Sequence, residues 1–206
     1  MFDYNQEIGL SLDTDQGRKK VAVRYPSDAE WITWRRKKKI LQKDLGRGNF
    51  QMEPSAPGAA DLELLNAIRI DKDGPPIDEA EAFEIINKLG HADVNKRPER
   101  EDPGYRIELK VMQRLNTVHL LRIPSVKDKQ TYNRAKSPVT YGQYGYQEIR
   151  INYQAGAELY DKLIASTEGY AGQVPINHKA EVINVLLQEI AMAEQEATPE
   201  SDDLDL

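Results

Sequence analysis

The chain predicts an α+β fold, and three observations predict it: alternating apolar runs paired around polar turns, a strand-to-helix corner that occurs twice, and helical periodicity downstream of each corner. The corner reads Val23-Arg24-Tyr25-Pro26-Ser27-Asp28-Ala29-Glu30 and again Leu121-Arg122-Ile123-Pro124-Ser125-Val126-Lys127-Asp128. Between residues 24–38 and 122–136, six of fifteen positions are identical: Arg24/Arg122, Pro26/Pro124, Ser27/Ser125, Thr33/Thr131, Arg36/Arg134 and Lys38/Lys136. Proline has no amide hydrogen and so closes a strand's donor row. The serine one residue on can accept the N–H of the third helical residue, whose Glu30 or Asp128 side chain reaches back to the cap. Ser27 and Ser125 are therefore expected to be helix N-caps directly after strands, with Arg24, Pro26, Arg122 and Pro124 completing two structural corners.

Each corner follows a hairpin pattern. Ile8 to Leu12 pairs with Lys19 to Val23 around a Gly/Asp turn, and Tyr105 to Val111 pairs with Thr117 to Leu121. Ile68-Arg69-Ile70 and Ile149-Arg150-Ile151 each read as a short strand leading to an amphipathic helix. The candidate duplication is thus hairpin, corner, helix, short strand, helix. It divides the chain into a first half at 1–94, a linker at 95–104 rich in proline and charge, a second half at 105–193, and a disordered acidic tail at 194–206.

Within the first half, Trp31, Trp34, Leu41 and Leu45 fall at helical spacing, which predicts a helix running to a stop at Gly46-Arg47-Gly48. Residues 51–60 read as a connection and 61–67 as a short helix. Asp71 to Pro76 is a turn, and Asp78 to Glu81 forms another capping box. It opens a helix with Ala82, Phe83, Ile85, Ile86 and Leu89 inward, ended by Gly90. In the second half the helix after Ser125 is more polar and stops by Ser137-Pro138. Residues 139–147 read as an irregular loop or strand edge, and 155–166 as a helix. Residues 177–193 carry the clearest amphipathic stripe, with Ala180, Ile183, Leu187 and Ile190 on one side.

Composition narrows the function. The 206 residues are 39% hydrophobic and 30% charged, with a net charge of −6 and no cysteine. Disulfides, thiolate nucleophiles and cysteine zinc sites are excluded. His91, His119 and His178 are too scattered for a histidine metal cluster, and no metal or cofactor is expected. The acidic start of the chain lacks a secretory core segment and no run reaches membrane-span length, so the expectation is a protein of the cytoplasm with no membrane partner. No phosphate loop or nucleophile elbow occurs. The acid pairs Glu79/Glu81 and Asp71/Asp73 sit in turns and first helical turns, where carboxylates serve as caps. No catalytic residue is assigned, and the chain is expected not to be an enzyme.

Two clusters remain as candidate contact surfaces. Residues 18–48 hold eleven basic residues against three acidic ones, and Arg35, Arg36, Lys37, Lys38 and Lys39 lie beside Trp31 and Trp34. Such a helix reads as a core element with its tryptophans turned inward and its lysines solvated, or as a protein-docking surface; the alternative is a nucleic-acid surface of cations and stacking rings. Tyr141, Tyr144 and Tyr146 form the second candidate patch, since tyrosine joins contact area to a polar tip; packing against their own domain is the equal alternative.

The second corner, Leu120 to Asp128 followed by Tyr132-Asn133-Arg134, resembles the strand-to-helix element of tail-assembly chaperones and related virion accessory proteins of tailed bacteriophages, over roughly fifteen residues. That resemblance implies a non-enzymatic α+β protein that binds other tail components during assembly, in the host cytoplasm or the virion. The second copy of the corner departs from a one-domain chaperone and leaves a virion structural or connector role open. Expected partners are other proteins, phage tail components or further copies of the chain.

Overall fold

The computed structural model describes residues 1–14, 17–38, 40–46, 49–54, 58–136, 139–141, 146–149 and 152–196; the strands within 40–54 and 139–149 are described by their backbone. Strands β1 (Glu7–Thr14) and β2 (Gly17–Arg24) make the first hairpin, in register from Thr14 opposite Gly17 to Glu7 opposite Arg24. Alternation is the cause: Ile8, Leu12, Val21 and Val23 are buried on one face. The chain turns at Pro26 into α1 (Asp28–Lys37), then β3 (Ile40–Gly46), β4 (Asn49–Pro54), α2 (Ala59–Ile68) and α3 (Glu79–Gly90). Short strands β5 (Ala92–Val94) and β6 (Glu99–Glu101) lead to the second hairpin, β7 (Gly104–Val111) and β8 (Leu115–Arg122). The second corner opens α4 (Val126–Ala135), followed by β9 (Val139–Tyr141), β10 (Tyr146–Ile149), α5 (Tyr153–Leu163), β11 (Ile164–Glu168) and α6 (Ile176–Glu196).

Both serines are N-caps after strands, and both capping boxes are complete. The two halves then repeat the same order of elements: hairpin, capped helix, hairpin, helix, strand pairing, helix. Details repeat as well. Thr33 Oγ1 donates to Ala29 O at 2.8 Å and Thr131 Oγ1 to Lys127 O at 2.9 Å; Lys38 N donates to Trp34 O and Lys136 N to Tyr132 O. After α2 Arg69 bridges Val23, and after α5 Ile164 pairs with Leu121, the counterpart of Val23.

Among the described residues the strands form three sheets. The β1–β2 hairpin stands alone, β11-β8-β7-β5 carries β6 beside β7, and β3, β4, β9 and β10 form a four-stranded sheet ordered β4-β3-β10-β9. A single core joins the halves: Val182, Ile183 and Leu186 of α6 and Ile107, Leu109 and Val111 of β7 are fully buried with Trp31, Leu65 and Ile85. Gly156 lets α5 lie against α6, since a Cβ there would meet Ala180 Cα at 2.8 Å.

Several expectations are corrected. The first helix ends at Lys37, and Leu41 and Leu45 belong to β3. Ladder bonds to β4 on one side and β10 on the other make residues 40–46 a central strand, and that pairing outweighs the helical spacing. Residues 139–141 and 146–149 are the strands of a hairpin, while Ile164 to Glu168 leave the helix to pair with β8. The 95–104 link carries β6, which pairs with β7, and Arg97 binds Glu189 of α6. Glu194 and Glu196, assigned to the tail, lie in α6 and pair with Lys129 and Arg97; residues 197–206 lie outside the described residues.

Candidate docking site

The corner residues are held by charge. Arg24 grips Glu30 through two bonds, Nη1 to Oε2 at 2.8 Å and Nη2 to Oε1 at 2.6 Å, while Ser27 N and Oγ also donate to Glu30. The guanidinium, helped by these cap bonds, holds the Glu30 carboxyl down at about 2. In the second corner Arg122 does not take this role; Lys162 of α5 pairs with Asp128 and, with Ser125, lowers its carboxyl to about 2.

The basic helix distributes its cations among intramolecular partners. Trp31 and Trp34 are 1% and 8% exposed, so neither offers a face to a stacked base. Trp34 Nε1 donates to the fully buried Asp61 at 3.0 Å, and Lys38 Nζ donates to the same carboxylate. Lys37 pairs with Glu63 across the α1–α2 cleft. Arg35 stacks over Tyr153 at 4.8 Å and Trp34 at 5.6 Å. Arg36 is exposed. Lys39 and Tyr144 lie outside the described residues, and Tyr141 and Tyr146 are placed only as members of β9 and β10.

Where α1 and α3 diverge, a groove of about 710 Å³ opens at the junction of the halves. Trp34 and Arg35 form one wall, Phe83, Asn87 and Gly90 of α3 the other, and Gln113 and Tyr153 of the second half close it. Asp78 builds the second wall by capping α3, accepting from Glu81 N at 2.9 Å. Phe83 is 47% exposed, although its place in the α3 stripe predicts an inward ring. Lys38 Nζ sits 4.7 Å from its centre, and the buried Arg35 Nε has no acceptor. Gln113 enters the groove from a tight turn in which Met112 and Gln113 adopt φ of 50° and 59°, a left-handed conformation that costs roughly 1 kcal/mol or more per non-glycine residue. The lining is mixed: Phe83, Ile86 and Tyr153 stand beside Asn87, Gln113, the Lys88–Glu84 ion pair and Arg35.

A polar chain through the core was not legible from local pattern. His119 Nδ1 lies 2.9 Å from Tyr160 OH, and its Nε2 lies within 3.4 Å of Tyr170 OH and 3.2 Å of Thr117 Oγ1. Tyr170 OH is 3.2 Å from His178 Nδ1, whose Nε2 is 3.0 Å from Tyr25 OH; Asn177 Nδ2 donates to Tyr25 OH at 2.9 Å. Burial drives both imidazoles down to about 3, so they are neutral at pH 7. The available signal was polar and aromatic residues standing inside otherwise apolar runs.

Among the described residues no group of three or more His, Asp or Glu is placed to hold a metal ion, and no helix is long and apolar enough to cross a membrane. No family model, curated protein or solved structure matches the chain.

Proposed function

We propose that this is a non-enzymatic assembly protein that docks other protein chains. The groove between α1 and α3 carries the reading: the half-exposed Phe83, with the unpaired Arg35 Nε on the facing wall, fits an apolar segment of a partner protein that offers a carbonyl or carboxylate. The resemblance of the second corner to phage tail-assembly and virion accessory proteins supports the same class, with a host cytoplasm or a virion as the proposed location. The nucleic-acid alternative draws less support, because the tryptophans are buried and Lys37 and Lys38 are ion-paired.

A photo-crosslinking residue at position 83, used in the native source, tests the reading. The expected result is capture of a small fixed set of proteins that persists in high salt and is absent when the crosslinker stands instead at the exposed Arg36, outside the groove. Capture of DNA or RNA that falls steeply with salt would overturn it in favour of phosphate binding.

A further inference from the structure

We infer that the chain assembles with copies of itself head to tail, the second half of one copy docking on the first half of the next. This rests on the assembly reading and names its partner. The warrant is that the two halves of one chain already make this contact, and that β4 and β9 stand at the two ends of the four-stranded sheet among the described residues.

The four-stranded sheet gives the direction. β3–β4 and β9–β10 are corresponding hairpins, each following a corresponding capped helix. A two-fold arrangement would place like against like, β3 beside β9 or β4 beside β10. The order is β4-β3-β10-β9, so the first strand of one hairpin meets the second strand of the other. Such a contact is heterologous, and repeating it generates rings or filaments. It leaves β9, the counterpart of β3, at one end of the sheet and β4, the counterpart of β10, at the other. These ends are complementary. Ile40 stands opposite Ile149 and Leu41 opposite Glu148 in the internal pair, and Leu41 opposite Glu53 and Val139 opposite Ile149 in the two hairpins. Carrying that register across places Val139 of one copy opposite Met52 of the next.

The corners point the same way. In the first, Tyr25 is 1% exposed and bonds to Asn177, while Asp28 accepts from Ile176 N at 2.9 Å, so this corner is docked on the second half. The corresponding residues of the second corner are Ile123 and Val126, apolar and 43% and 69% exposed. Sheet edge and corner are two features that the first half fills with the second and that the second leaves open.

The absence of native cysteine makes the test clean. Two full-length variants, Met52→Cys and Val139→Cys, are oxidised separately and mixed. The inference expects a disulfide-linked dimer only in the mixture, a ladder from the double variant, and light-scattering masses at multiples of 23.4 kDa for the unmodified chain. Val126→Glu adds an acid to the first turn of α4, where it favours the helix, and is expected to return the assembly to monomer with its thermal unfolding intact. A monomer at tens of micromolar would overturn the inference, as would a dimer of Met52→Cys alone, which signals a two-fold contact. The assembly reading is separable: position 83 crosslinking to other proteins by a monomeric chain refutes self-assembly and leaves that reading standing, and loss of both refutes both.

Discussion

Arg24 and Glu30 are six residues apart and meet through two parallel hydrogen bonds, and the same carboxylate closes the capping box on Ser27. The strand's last residue is thereby tied to the helix's first turn, fixing the angle of the corner. At the second corner a different helix supplies the cation, Lys162 for Arg122, and the cap geometry is unchanged. The serine and the acid three residues later are the constant part of the device.

Ser27→Ala and Ser125→Ala are each expected to cost about 1 kcal/mol, the usual worth of a side-chain N-cap. The caps share no partner, so the double variant should lose close to the sum. Urea unfolding of the four proteins checks this. A loss confined to one serine would show that the corners are not equivalent.

Lys38 is expected to be structural. Lys38→Met leaves the Asp61 carboxylate buried with only the Trp34 N–H, at a cost of about 3 kcal/mol, while Asp61→Leu combined with Lys38→Met removes both charges and recovers part of that loss. The double-mutant cycle by chemical denaturation reads the coupling. Arg36→Met, on the exposed face, should change stability by less than about 0.5 kcal/mol.

Acid should destabilise the fold in two stages. His119 and His178 are neutral when folded, with values near 3, and accept a proton at about 6.5 when unfolded. The unfolded chain then binds more protons, so stability falls as pH drops from about 6.5 toward 3. Glu30 and Asp128, at about 2 in the fold against 4.5 and 3.8 unfolded, add a second loss as pH falls from about 4.5 toward 2. Urea midpoints between pH 7 and 3 should decline from the upper window onward. Replacing both histidines with glutamine should flatten the slope above pH 4.5 and reduce the lower one to the share of Glu30 and Asp128.

Gly156→Val is expected to destabilise by about 1 to 3 kcal/mol. The new Cβ would stand 2.8 Å from Ala180 Cα, and α5 would have to lift from α6. Thermal unfolding measures the loss, and Gly172→Ala, in open space, serves as the neutral comparison.

What the sequence could reveal was whatever is written locally. The capping boxes need only residues three apart, and the hairpins only alternation around a turn, so Ser27, Ser125 and the β1–β2 and β7–β8 pairs were readable. β3 was not, because Leu41 and Leu45 also satisfy helical spacing, and part of the ladder that holds it comes from β10, about a hundred residues away. The groove was half readable. Trp31 and Trp34 declared an inward stripe, but the opening beside Phe83 depends on how α3 and Tyr153 meet α1, and no local pattern encodes a distance between helices. The Tyr25 to His178 contact spans 153 residues and had no local signature at all.

The rings through the core constrain one another's protons. Each neutral imidazole has one nitrogen that gives a proton and one that takes. Tyr170 OH stands between His178 Nδ1 and His119 Nε2 and carries a single proton, so it can give to only one of them. Thr117 Oγ1, 3.2 Å from His119 Nε2 and 3.4 Å from Tyr170 OH, offers both a second partner. The tautomer of His119 is thus set at a junction of two hydroxyls, and losing the Tyr170 hydroxyl would leave Thr117 as the side-chain partner of that nitrogen among the described residues.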